Sequence, residues 1–154
     1  MTLLRKARFR LGLWIWARLL PFLAWNRDLK SLMRLVEVGR RAPYRGLAAD
    51  YIVGSVQRVT GDPVLMRDRP CLRRGLLATR FLRLAGYRPE LHFGIDRTSL
   101  SNSVLSAHCW ITLSGELMLS AALDPATSTL VEVLSYTDHG LLPATLRCVS
   151  GRRA

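Results

Sequence analysis

Acidic side chains are scarce in this sequence: 11 Asp and Glu stand against 23 Lys and Arg, nearly all of them Arg, for a formal charge of +12 over 154 residues. Cysteine is scarcer still. The three present, Cys71, Cys109 and Cys148, are far apart and odd in number, and no C-x-x-C or Cys/His cluster accompanies them. That pattern excludes a disulfide framework and gives no metal site, leaving reduced thiols as the expectation. There is no G-x-S-x-G elbow, which a serine hydrolase would want, and Gly94-Ile95-Asp96-Arg97 is no phosphate-binding motif. Repeats, low-complexity tracts and domain-splitting linkers are missing too. The longest apolar run, Leu11 to Trp25, is broken by Arg18 and Pro21, is too short to span a bilayer and precedes no signal-type cleavage site. A retained, cytoplasmic protein of one domain, needing no cofactor and no metal, is expected.

What the sequence does hold is enough apolar material for a core, with 49% hydrophobic and 22% charged residues. The arginines fall every three or four residues, as in Arg73, Arg74, Arg80 and Arg83, which predicts solvated helix faces. With no zinc finger, RNA-binding signature or aromatic ladder, no nucleic-acid partner is expected. An acidic peptide or lipid headgroups are the remaining partners for such a charge.

Residues 3 to 40 read as two helices with a bend near Pro21. Leu11, Trp14, Ile15, Leu19 and Phe22 repeat at helical spacing, and Leu29, Leu32, Met33 and Val36 resume the period after Asn26, a candidate N-cap. A cationic, Trp-bearing helix can lie on a membrane, so peripheral contact through residues 1–25 is one reading and burial in its own domain the other. A third helix is expected over Leu47 to Val59. The strongest helical signal is Cys71 to Leu84, with Leu72, Leu76, Leu77, Phe81 and Leu84 in one stripe, Pro70 before it and Ala85-Gly86 after it. Strand alternation marks Glu90 to Ile95. A hairpin is expected from Ala107–Leu113 and Glu116–Ala122 about a Ser114-Gly115 turn. Further strands are expected over Leu130–Tyr136 and Leu141–Val149. Helices first and a sheet afterwards make the fold α+β, with an antiparallel sheet.

The chemistry concentrates on two residues. Cys71 opens its helix, where unpaired N–H groups and the helix dipole favour a thiolate and can stabilise an oxyanion. Arg69, Arg73 and Arg74 add positive potential. His108 lies on the strand Ala107-His108-Cys109-Trp110-Ile111, where it can serve Cys71 as a base. The plainer alternatives are a buried small residue at 71 and a core histidine at 108. If the hairpin is regular, His108 faces Ala121, and Ser120 stands one step from the place where a third group would orient the imidazole. Asp124 is the alternative. Cys109 alternates away from His108 into the core, His92 has no evident partner, and His139 sits in a turn.

Taken together, Arg67-Asp68-Arg69-Pro70-Cys71-Leu72-Arg73-Arg74-Gly75-Leu76-Leu77, Pro89-Glu90-Leu91-His92-Phe93-Gly94-Ile95 and Ala107-His108-Cys109-Trp110 resemble the transglutaminase-like proteins found as the B protein, or its C-terminal B2 half, of lasso peptide maturation. The resemblance covers most of residues 50–136. It implies a papain/transglutaminase-like cysteine-protease fold, with residues 1–46 a helical part and 47–154 the catalytic core of one domain, 1–154. It further implies a leader peptidase acting on a ribosomally made precursor, with Cys71 as nucleophile and His108 as general base. The family's third residue, usually Asp, falls at or near Ser120, where this chain departs from the pattern. The partners implied are the precursor peptide, a separate leader-recognition protein and the cyclase of the same pathway.

Overall fold

In the computed structural model of the chain, residues 2–39, 42–61, 69–96, 107–120 and 130–143 are described. The first helix, α1 (Thr2–Leu23), buries Phe9, Leu13, Ala17 and Leu20, spaced so that they line one side. Pro21 falls in its last turn and does not stop it; the chain leaves through a turn over residues 24–26. Asn26 is not the cap of the next helix. It takes a left-handed conformation (φ 54°) within that turn, and Asp28 occupies the cap position of α2 (Leu29–Val36). Helix α2 buries Leu32, Met33 and Val36, and α3 (Ala49–Val59) buries Ile52, Val53 and Val56.

Helix α4 (Pro70–Leu84) is central. It packs against α1, α2 and α3 on one side and against the sheet on the other, and residues 75–79, 81 and 82 are all buried. Phe9 meets Phe81 edge-on at 5.5 Å and Tyr44 at 5.5 Å, so the first helix shares an aromatic cluster with the central one. Gly86 (φ 90°) ends α4 in the left-handed conformation that glycine adopts without strain. Arginine spacing on α4 misleads, since Arg80 and Arg83 are half-buried and engaged by other elements. Arg80 donates to the Leu35 carbonyl at the end of α2 and stacks on Trp16 at 3.8 Å. Arg83 reaches Asp138 at 3.3 Å and the Tyr136 hydroxyl at 3.2 Å, tying the helix to the turn at residues 138–139.

Five strands follow: β1 (Pro89–Asp96), β2 (Ala107–Leu113), β3 (Glu116–Ser120), β4 (Leu130–Thr137) and β5 (Gly140–Pro143). They form one antiparallel sheet in the order β3-β2-β1-β4-β5. The molecule is therefore α+β, helices first and antiparallel sheet second. Leu91, Cys109, Ile111, Leu119 and Tyr136 are buried in the core that α4 shares with the sheet. The fifth strand begins at Gly140; the expected extension to Val149, like Ala121 and Ala122 of the third, lies outside the described residues.

The β2–β3 hairpin turns at Ser114 (φ 53°) and Gly115 (φ 83°), the paired positive values of a tight two-residue turn. Its ladder is not regular. Leu113 pairs with Glu116 and Thr112 with Leu117, but Ile111 then pairs with Leu119 and Trp110 with Ser120, so Met118 is an extra, bulged residue.

Candidate active site

Arg69 caps α4 in a left-handed conformation (φ 51°), Pro70 takes the first helical position and Cys71 the second. Proline suits that first position because its missing N–H has no helical partner to lose. The thiol of Cys71 therefore sits at the positive end of the helix dipole, with the Leu72 N–H directed at it. Across from it runs the beginning of β2, whose Ala107 carbonyl lies 3.8 Å from Cys71 Sγ. Cys71 and His108 line one cleft of about 570 Å³ together with Leu29, Arg69, Leu72, Arg74 and Phe93, a volume in the range that small-molecule and peptide side-chain sites use.

The Cys71 pKa is lowered from 9.0 to about 6. The largest cause is a hydrogen bond from the Cys109 thiol, followed by burial, which opposes it. The Leu72 N–H and the charge of His108 then lower it further. Cys109 is held the other way. Its hydrogen bond to Cys71 and its burial push it well above the usual thiol range, so it remains a donor. Of the arginines expected to help, Arg74 donates instead to Thr60 Oγ1 at 3.0 Å.

Cys109 is thus the residue that reading the sequence missed. Strand alternation correctly places it in the core, buried at 4% exposure, but its thiol is also the largest cause of the lowered Cys71 pKa. The signal was Gly75, one helical turn after Cys71. A Cβ there would stand 3.0 Å from Cys109 Sγ and 2.9 Å from Leu91 Cδ1, so only glycine lets α4 and β2 come this close.

For the third position, the bulge at Met118 changes the expected register. Ser120 pairs with Trp110, two residues along β2 from His108, and not beside the partner of His108 as a regular hairpin would have it. Asp124 and Cys148 lie outside the described residues. Among the described residues no group of three His, Cys, Asp or Glu could hold a metal.

His92 does have partners, contrary to the sequence reading. Its Nδ1 is 2.7 Å from Glu132 Oε1, its Nε2 is 2.8 Å from Thr112 Oγ1, and its ring stacks on Trp110 at 5.5 Å. They were hidden because Glu132 and Thr112 come from strands on either side of β1. Trp110 lies across Gly94, where a Cβ would be 2.8 Å from the indole, so the stack occupies the gap that glycine leaves opposite His108. His139 is exposed in the turn between β4 and β5, as expected.

The profile of the transglutaminase-like superfamily matches residues 11–133, which takes in every element from α1 into β4. No curated protein and no solved structure matches the chain significantly.

Proposed function

The chain belongs to the transglutaminase-like superfamily, and from that premise we propose that it is a cysteine peptidase removing the leader from a ribosomally made, lasso-type precursor peptide. The observation that carries the chemistry is the lowered pKa of Cys71, at a helix start and in one cleft with His108. The superfamily's cysteine hydrolase and acyl-transfer chemistry supports the reaction class. The likeness of the Cys71, Pro89–Ile95 and His108 segments to lasso peptide B2 proteins supports the substrate.

In this reading the Cys71 thiolate attacks the scissile carbonyl carbon. The oxyanion that forms is met by N–H groups of the first turn of α4. The imidazolium of His108 gives its proton to the leaving amine as the C–N bond breaks, so the segment on the amine side of the cut departs and the acyl side stays on Cys71 as a thioester. The neutral imidazole then takes a proton from water, whose oxygen attacks the thioester and restores the thiolate. If an amine takes the place of water, the same residues perform acyl transfer. Leu29, Leu72 and Phe93 give the cleft apolar walls for a substrate side chain, and Arg69 gives its rim a positive charge. Leader recognition falls to a separate protein, and the cyclase takes the product.

The test supplies precursor and leader-binding partner together and follows cleavage by mass spectrometry. Cys71→Ala is expected to lose at least roughly a thousandfold in rate while keeping its circular dichroism. Cleavage at the original rate by a folded Cys71→Ala protein would end the proposal. Ser120, at or near the position where the proteins it resembles usually have an acid, favours a second reading, a peptide-binding scaffold without activity. That reading is distinguished by precursor binding with no cleavage even in the unaltered protein.

A further inference from the structure

Helix α1 is apolar on two opposite sides. At about 100° per residue, Phe9, Leu13 and Leu20 run along the side buried in the core, while Leu4, Leu11, Ile15 and Phe22 run along the side facing away from it. The outward side is bare. Phe22 is 77% exposed and Trp25, just beyond the helix, 78%. An exposed apolar stripe of this length marks an interaction site.

The charge around the stripe identifies what it meets. Residues 1–36 hold eight Lys and Arg against the single Asp28, and α1 itself contains no acid. Arg8 flanks the stripe and is exposed, as are Arg27 and Lys30 beyond it. Arg18 lies in the middle of the stripe with its guanidinium 3.6 Å over the Trp14 ring. A protein partner would have to bury that cation in an apolar contact, at a desolvation cost that needs a matching carboxylate. At a bilayer the same side chain extends to the phosphates while its stem and Trp14 stay among the acyl chains. No helix among the described residues is long and apolar enough to cross a membrane, so the contact lies along the surface.

We propose that α1 and Trp25 bind the surface of an anionic lipid bilayer, the stripe from Leu4 to Trp25 entering the interface and the flanking cations meeting the headgroups. Trp25 and Pro21 also line a cavity of about 450 Å³ that shares Arg69 and Leu72 with the Cys71 cleft. Bound this way, the protein holds its cleft close to the membrane. The inference rests on residues 4–30 and stands or falls separately from the peptidase reading.

The experiment is flotation of the full chain with vesicles of phosphatidylcholine alone or with about one third phosphatidylglycerol, in low and high salt. Tight binding to the anionic vesicles is expected, at least roughly tenfold weaker on neutral ones and weakened by salt. Leu11→Glu with Phe22→Glu should reduce binding at least roughly tenfold, and Arg8→Gln or Arg18→Gln about fivefold each. Because the paired glutamates could disturb folding, quenching of the unaltered protein's tryptophans by brominated lipid gives a second readout, lost when Trp14 and Trp25 are both changed to Phe. Three results would overturn the proposal: no binding to anionic vesicles, equal binding to both kinds, or a lipid-free dimer that Leu11→Glu with Phe22→Glu dissociates, which would make a second copy of the chain the occupant.

Discussion

Alkylation of Cys71 by iodoacetamide, followed across pH on the peptide that contains it, measures whether this sulfur is held as an anion. With the pKa at about 6 rather than 9.0, the thiolate fraction at pH 7 is about 0.9 instead of about 0.01. The gain of roughly ninetyfold is not the gain in rate. A more stable thiolate is a weaker nucleophile, and a Brønsted coefficient of about 0.4–0.5 removes some 15–30-fold over three units. At pH 7 the net advantage over an ordinary thiol is only about three- to sixfold. At pH 6 it widens to about 15–30-fold, because the ordinary thiol has lost almost all its anion. The midpoint of the profile is therefore the quantity to read, with a plateau above pH 7 where a reference thiol such as glutathione is still rising. A charge-assisted hydrogen bond of about 1.5–3 kcal/mol corresponds to about one to two pKa units. Sulfur is a poor donor, so Cys109→Ala should move the midpoint up by about one unit. His108→Ala should move it up by less, its charge standing behind both the Cys109 thiol and the Leu72 N–H as a cause. A midpoint above about 8.5 in the unaltered protein, or one that ignores the loss of Cys109, refutes the reasoning.

Gly75→Ala places a methyl against Cys109 and Leu91; thermal unfolding should show a loss of about 1–3 kcal/mol, and the alkylation midpoint should rise with it as the two sulfurs part. Cys71→Ala should remove a pH-dependent part of the stability. Because the folded-state pKa is depressed to about 6, this contribution is absent below it, grows as pH rises toward the unfolded value of 9.0 and is lost again as pH falls. Denaturant titrations of both proteins at pH 5.5 and 8 should therefore differ by more at pH 8. Ser120→Ala should slow precursor cleavage about tenfold and His108→Ala about a thousandfold; equal collapse in the two would make Ser120 a full member of the catalytic unit.

The element order could be read from the sequence because each periodic segment had a chemical boundary. Pro70 before and Gly86 after α4, and Ser114-Gly115 between β2 and β3, fix where the chain turns irrespective of the tertiary structure. Cys71 and His108 were visible for a related reason, since a thiol at a helix start and an imidazole on a strand are each defined by local position. What escaped reading depends on neighbours distant in the chain. Cys109 looked like core, and is, until α4 is laid against β2 at Gly75. His92 gained its partners from two different strands. Arg80 and Arg83 had the spacing of a solvated face, yet the first is taken by α2 and the second by the β4–β5 hairpin.

The extra residue at Met118 bears on how this chain is lined up with any relative. Counting a fixed number of positions onward from the histidine assumes that both strands advance in step, and here one of them skips. A relative lacking the insertion would present the equivalent side chain one place earlier in a pairwise comparison, although the two groups stood at the same point in space. Superposed backbones, not motif intervals, are the proper ruler for deciding which side chain on the third strand corresponds to which.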